Sequence, residues 1–333
     1  MWIKCVNVFH DMKDDLYLIS NGMFYRERNT LIFVGDGDKI VMPINTISSI
    51  HCFGKASLSS MVIDLLFEKN IPVHFFKRYG SYTGSLFPKR WNFSGKLLVK
   101  QCECFLKDDK RHFVAKSIVN GTRHSMISIM RDYKDARGMI AELKFITLPD
   151  SSDMNQLRSS EGRIWKVYYS FIDQSCKFFS LGARTFHPPN NELNAMISFG
   201  NALLYGVVLT EIYNTQLDAS VSFLHEPQDR RHSFMLDISE MFKPIIVGRM
   251  ILSLSNKQKI KARHFEKKNG GCYLNRFGRK IFVEDFNARM RATVKHKELK
   301  RDVSYRQLIR LECYRFINHF LENKEYSAFE PWW

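Results

Sequence analysis

The sequence predicts an α+β protein in which a small N-terminal antiparallel β domain, residues 1–90, precedes a larger, mostly α-helical domain, residues 91–333. Three observations lead there. At 333 residues the chain exceeds what one core usually accommodates and suits two domains of roughly 100–200 residues each. Short β-branched and aromatic runs punctuated by Gly, Asn and Asp fill the first ninety positions. Beyond Trp91 the apolar residues recur at helical spacing instead.

In the first part, Leu16 to Ile19 reads as a strand, Ser20-Asn21-Gly22 as a turn, Met23 to Tyr25 and Thr30 to Val34 as the next strands, and Gly35-Asp36-Gly37-Asp38 as another turn. This is the pattern of a meander of hairpins, continued by Lys39 to Pro43 and Ser49 to Phe53. Ser57 to Glu68 carries Leu58, Met61, Val62, Leu65 and Leu66 along one stripe and predicts a helix. Ile71 to Phe76 returns to strand, and Tyr79 to Gly84 turns before Leu86-Phe87-Pro88. In the second part helices are expected over Leu97 to Phe105, Phe113 to Tyr133, Met139 to Ile146, Glu161 to Phe179, Leu193 to Tyr213, Ser233 to Leu254 and Val303 to Leu321. Loops rich in Pro, Asn or Gly separate them at Thr147 to Asp153, His187 to Asn191 and Lys268 to Gly271.

Composition narrows the class. Hydrophobic residues at 45% and charged residues at 25% are globular proportions, which argues against disorder and fibrous repeats. No run approaches the roughly 18 apolar residues of a membrane span, and the start of the chain soon meets Asp11, Lys13, Asp14 and Asp15, so a cytoplasmic, membrane-free protein is expected. Seven scattered cysteines suit a reducing compartment, and Cys102-Glu103-Cys104 lacks the second ligand pair a zinc site needs. A net charge of +16 points to a polyanionic partner. The excess is concentrated: Lys257 to Arg310 holds 17 basic and 5 acidic residues, interleaved with Phe265, Tyr273, Phe277, Phe282, Phe286 and Tyr305. Charge alone does not separate DNA from RNA or an acidic protein, but basic residues among aromatics suit a phosphate backbone, which nominates Lys257, Lys259, Lys261 and Arg263 as phosphate contacts.

No Gly-rich phosphate loop and no Gly-x-Ser-x-Gly elbow is present, which removes the commonest nucleotide-hydrolase and serine-hydrolase readings. Attention falls on Ser222-Phe223-Leu224-His225-Glu226-Pro227 and on the helix opening Phe234-Met235-Leu236-Asp237-Ile238-Ser239-Glu240. Glu240 keeps apolar company, where a carboxylate is costly to desolvate unless a cation partners it. Asp237 lies one turn earlier on a neighbouring position, His225 sits in the preceding loop, and Lys243 lies one turn later, within reach of a phosphate. On these residues alone, a metal site and a simple Glu240–Lys243 pair both remain open. Glu161 is similarly ambiguous, because Ser160 can cap a helix whose first turn favours an acid.

Several segments occur together in the order of a known family. Leu16 to Gly22, Ile50 to Gly54, Leu58-Ser59-Ser60 and Ile71 to Phe76 are followed by Glu161-Gly162 with Tyr168-Tyr169, then Phe186-His187-Pro188-Pro189-Asn190 with Asn194 to Phe199, then Leu224-His225, then Leu236 to Pro244. The chain resembles the CRISPR-associated integrase family of spacer acquisition over nearly its whole length. The resemblance implies a metal-dependent DNA endonuclease and integrase whose ligands are Glu161, His225 and Glu240, holding Mg²⁺ or Mn²⁺, with Asp237 and Lys243 in support. It further implies a homodimer formed through the β domain, a small dimeric partner protein, double-stranded DNA as substrate, Phe186 and Tyr205 near the DNA strand end, and Arg184, with Lys257, Lys259, Lys261 and Arg263, among the DNA contacts. Lys243 stands where many members have Arg, and Gly248 where an Asp is frequent. A non-catalytic, basic DNA-binding subunit is the rival class, and the intact ligand trio weighs against it.

Overall fold

The computed structural model describes residues 13–35, 38–77, 80–89, 92–186, 188–227, 232–322 and 324–333. The expectations placed on Asp11, Asp36-Gly37, Tyr79, the Trp91 boundary and His187 lie outside the described residues. The chain divides into two compact units, residues 1–91 and 92–333.

In the first unit β1 (Asp14–Leu18), β2 (Gly22–Glu27), β3 (Thr30–Gly35), β4 (Asp38–Pro43), β5 (Ile47–Cys52), β6 (Ala56–Ser57), α1 (Ser60–Glu68), β7 (Val73–Phe76) and β8 (Tyr82–Leu86) follow in order. They build two four-stranded sheets, β1-β5-β7-β8 and β4-β3-β2-β6. The expectation of a purely antiparallel meander is corrected here: β2–β3–β4 and β7–β8 are antiparallel, whereas β1–β5, β5–β7 and β2–β6 are parallel. The physical reason is the connection. A helix intervenes between β5 and β7, and such a crossover brings the next strand back in the same direction. Ser20-Asn21-Gly22 is likewise not a hairpin but the passage from one sheet to the other, and Gly22 is required there because a Cβ would stand 2.4 Å from Phe33 Cζ and 2.5 Å from the Val34 carbonyl oxygen. Leu18, Phe24, Leu31, Phe33, Ile50 and Val73 from the strands close on Val62, Leu65 and Leu66 of α1 to form this unit's core.

The second unit contains α2 (Gly95–Phe105), α3 (Asp108–Met130), α4 (Arg137–Phe145), α5 (Met154–Ser175), α6 (Glu192–Tyr213), α7 (Ser233–Lys243) and α8 (Arg249–Asn256). The hairpin β9 (Phe265–Lys268) and β10 (Gly271–Leu274), α9 (Arg276–Arg291), the short pair β11 (Thr293–Lys295) and β12 (Asp302–Ser304), and α10 (Tyr305–Glu322) follow. Three expectations change. Helix α5 begins at Met154, where Asp153 accepts from the amides of Asn155 and Gln156, so Glu161 lies in mid-helix and Ser160, bonded to the Thr147 carbonyl, is no cap. Lys268 to Gly271 is a two-residue hairpin turn, with positive φ at Asn269 and Gly270. The helix from Ser233 is interrupted by a π-turn at Pro244–Gly248, because Pro244 has no amide to donate back.

Helix α6 is buried almost throughout and forms the centre of this unit, with α7 packed between it and α3. It is also long and apolar enough to cross a membrane by length and composition, but burial inside the protein accounts for that character. Every residue of α7 from Ser233 to Phe242 is buried, so Asp237 and Glu240 have no solvent face to turn to.

Candidate functional site

Asp237, fully buried, organises the loop before α7. Its Oδ2 accepts from the backbone amides of Phe223 (2.6 Å) and Leu224 (3.0 Å), and its Oδ1 from the His225 amide (3.0 Å). The same Oδ1 lies 2.7 Å from His225 Nδ1. A carboxylate can only accept, so Nδ1 carries the proton and Nε2 presents its lone pair toward Glu240, whose Oε1 is 4.0 Å away. Burial alone would lower the imidazole's affinity for a second proton. The Asp237 hydrogen bond, with the charges of Asp237 and Glu240, outweighs it and lifts the His225 pKa above its ordinary value.

Glu240 is only 4% exposed. One of its oxygens, Oε1, pairs with Lys243 Nζ, and the other, Oε2, is buried with no hydrogen-bond partner among the described residues. Burial works against the lysine's charge, but the Glu240 carboxylate holds the ammonium well above its usual range. The Nζ also lies 5.7 Å from the centre of the Trp165 ring and 5.3 Å from that of Tyr205, two aromatic faces that stabilise a desolvated cation.

Glu161, on α5 one turn before Trp165, completes the group. Burial and the neighbouring Glu240 charge raise its carboxyl to about 7, against partial relief from Lys243, His225 and a Trp165 hydrogen bond. That mutual influence puts Glu161, His225, Glu240 and Lys243 in one electrostatic cluster. Among the described residues, however, no group of three or more His, Cys, Asp and Glu side chains converges tightly enough to hold a metal ion. The Lys243 ammonium serves instead as the counter-charge of Glu240.

The other candidates divide. Tyr205 belongs to the wall around Lys243. Arg184 is held by Asn194 Oδ1 (2.8 Å) and Ser198 Oγ (3.1 Å), and its guanidinium lies 4.2 Å from the ring centre of Phe186, which is 58% exposed. Lys257, Lys259, Lys261 and Arg263 are all exposed at and beyond the end of α8, with Lys259 paired to Asp285 at 2.7 Å. Gly248 has a local cause: a Cβ there would stand 2.0 Å from the Tyr168 hydroxyl, which occupies the space of a side chain. Sequence reasoning missed the polar fastening of the His225 loop by Arg111, Arg158 and Glu226. Only the position of Glu226 beside His225 hinted at it.

A cluster of acids and imidazole set within a basic helical unit suits a class of protein that works on polyanions. The model of the family described as CRISPR associated protein Cas1 matches residues 16–288, and the chain belongs to that family. It is 43% identical to a CRISPR-associated endonuclease Cas1 of Methanothermobacter thermautotrophicus, covering 96% of each chain. It is 40% identical to CRISPR-associated endonuclease Cas1 3 of Thermodesulfovibrio yellowstonii, covering 95% of this chain and 99% of the relative. The solved structure of a Cas1 protein from Thermotoga maritima superposes with a TM-score of 0.85 at 34% identity, covering 95% of this chain and all of that one.

Proposed function

We propose that this Cas1-family chain is a divalent-metal-dependent DNA endonuclease and integrase that inserts captured DNA fragments into a CRISPR array. The observation that carries the reading is Glu240 Oε2, a buried carboxylate oxygen without a partner among the described residues, in one electrostatic cluster with Glu161 and His225. A buried anionic oxygen without a hydrogen-bond partner is costly, and a cation meeting it removes that cost.

Two carboxylates and one imidazole suit Mg²⁺ or Mn²⁺, held by Glu161, His225 and Glu240. When bound, such an ion supplies Lewis-acid stabilisation of a phosphodiester under attack by a 3′-hydroxyl or by water. The protein's own groups do the rest. Asp237 keeps the His225 proton on Nδ1 and leaves Nε2 free to ligate. Lys243 supplies the counter-charge of Glu240 and offers a positive charge to an approaching phosphate. Tyr205, Phe186 and Arg184 supply aromatic and cationic faces for the strand end, and Lys257, Lys259, Lys261 and Arg263 contact the phosphates of double-stranded DNA.

The assembly is a homodimer formed through the first unit, joined by a small dimeric partner and acting in the cytoplasm. Met23, Tyr25, Val34 and Val41 support the dimer: they share one face of three adjacent strands and are 42–56% exposed, an apolar patch of the kind that marks an interface.

The test is strand transfer of a labelled 3′-hydroxyl oligonucleotide into a repeat-bearing plasmid, with the partner protein present, across a Mn²⁺ titration. Glu240→Gln keeps shape and removes charge, and should lower activity by orders of magnitude with partial recovery at high Mn²⁺. Near-normal activity at low Mn²⁺ would make Glu240 merely the counter-ion of Lys243.

A further inference from the structure

We infer that Arg111 and Arg158 are positioning residues of the candidate site, fastening the loop that carries His225 to α3 and to the helix that carries Glu161. The inference rests on the proposed metal role of that trio. Asp237 satisfies the amides of Phe223, Leu224 and His225, which leaves the carbonyls of the same turn to be held from outside. Arg111 Nε, from α3, donates to the Phe223 carbonyl at 3.0 Å, and its Nη2 reaches Glu226 Oε1 at 2.6 Å. Arg158, from α5, donates from Nε (3.2 Å) and Nη2 (3.1 Å) to the Leu224 carbonyl, and Nη2 also meets Glu226 Oε1. Ser222 Oγ donates to the His225 carbonyl at 2.7 Å.

The turn is thus held on both sides: a buried carboxylate takes its N–H groups, and two guanidinium groups and the Ser222 hydroxyl take its C=O groups. Arg158 precedes Glu161 by three residues and so lies one helical turn away on a neighbouring position of α5. One side chain therefore couples the placement of the imidazole to that of a carboxylate on a different element. A planar guanidinium does this better than an ammonium, because its fork reaches a carbonyl and a carboxylate at once. Glu226, about half exposed, is the shared anchor that draws both arginines to the loop.

The experiment uses the full chain with Mn²⁺ alone as probe. Mn²⁺ affinity is measured by electron paramagnetic resonance, and amide hydrogen exchange of Leu224 to Glu226 is followed beside the melting temperature. Arg158→Met should weaken Mn²⁺ binding about tenfold, the scale of support groups behind metal ligands, and accelerate exchange in that turn with little change in melting. Arg158→Lys should recover part of the affinity. Glu226→Gln changes a half-exposed group, leaves the fold intact, and should show a weaker version of both effects. Unchanged Mn²⁺ affinity in Arg158→Met and Glu226→Gln would overturn the inference, as would unchanged exchange. His225→Ala separates this from the underlying reading: if it too leaves Mn²⁺ binding unaltered, the trio is not the metal site, whereas a loss there with none in the arginine variants refutes only the clamp.

Discussion

Asp237→Asn is the sharpest perturbation the structure offers, because it changes one atom and leaves the shape of the side chain. Each carboxylate oxygen of Asp237 serves two donors: Oδ2 the amides of Phe223 and Leu224, Oδ1 the amide and Nδ1 of His225. An asparagine has one acceptor oxygen and one NH₂. Turned toward Phe223 and Leu224, the NH₂ would strand two buried amides, at about 1–3 kcal/mol each. Turned toward His225, it strands one amide, and the imidazole can respond by moving its proton to Nε2 and accepting at Nδ1. The second arrangement costs less, so a loss of about 2 kcal/mol is expected, with Nε2 now blocked as a ligand. Urea unfolding in EDTA at neutral pH reads the first effect and Mn²⁺ titration the second. A variant within about 0.5 kcal/mol of the parent, the range of ordinary surface substitutions, that also binds Mn²⁺ normally would refute the role given to Asp237.

Two further tests address charge. Glu161 in the metal-free protein holds its proton up to about 7 rather than the ordinary 4.5, so the folded state binds that proton more tightly than the unfolded chain does. Stability should therefore fall as pH rises between those values, and Glu161→Gln should be more stable than the parent at pH 8 in EDTA by up to about 3 kcal/mol, yet equal to it near pH 4. Urea midpoints across this window check it, and a gap that does not change with pH would count against the assignment. Replacing Lys257, Lys259, Lys261 and Arg263 together by Gln should weaken binding to all duplex sequences alike and flatten the slope of log affinity against log salt, because each phosphate contact releases counterions. An unchanged slope would remove those residues from the DNA path.

Local patterning determined much of this protein. Strand-forming runs and helical periods separate a β-rich N-terminal part from a helical remainder, since a side chain's neighbours at spacings of two or of three and four depend on backbone geometry alone. The segments around Glu161, His225 and Glu240 were visible as a family pattern in sequence. Strand direction was not legible, because β1 pairs with β5 across the intervening β2, β3 and β4, and β7 returns beside β5 only through the α1 crossover, both of which close only when the core of Leu18, Phe24 and Val62 assembles. The helix at Arg276–Arg291 was hidden by its charges, since its buried face carries Gly278 and Arg279 beside the large apolar Phe282, Val283, Phe286 and Met290. The partnership of Asp237 with three amides, the fastening by Arg111 and Arg158, and the pairing of Lys243 with Glu240 were decided by tertiary structure. Each joins groups whose separation in sequence carries no signal, or chooses between partners equally near along a helix, and burial made the choice by raising the penalty for any polar group left alone.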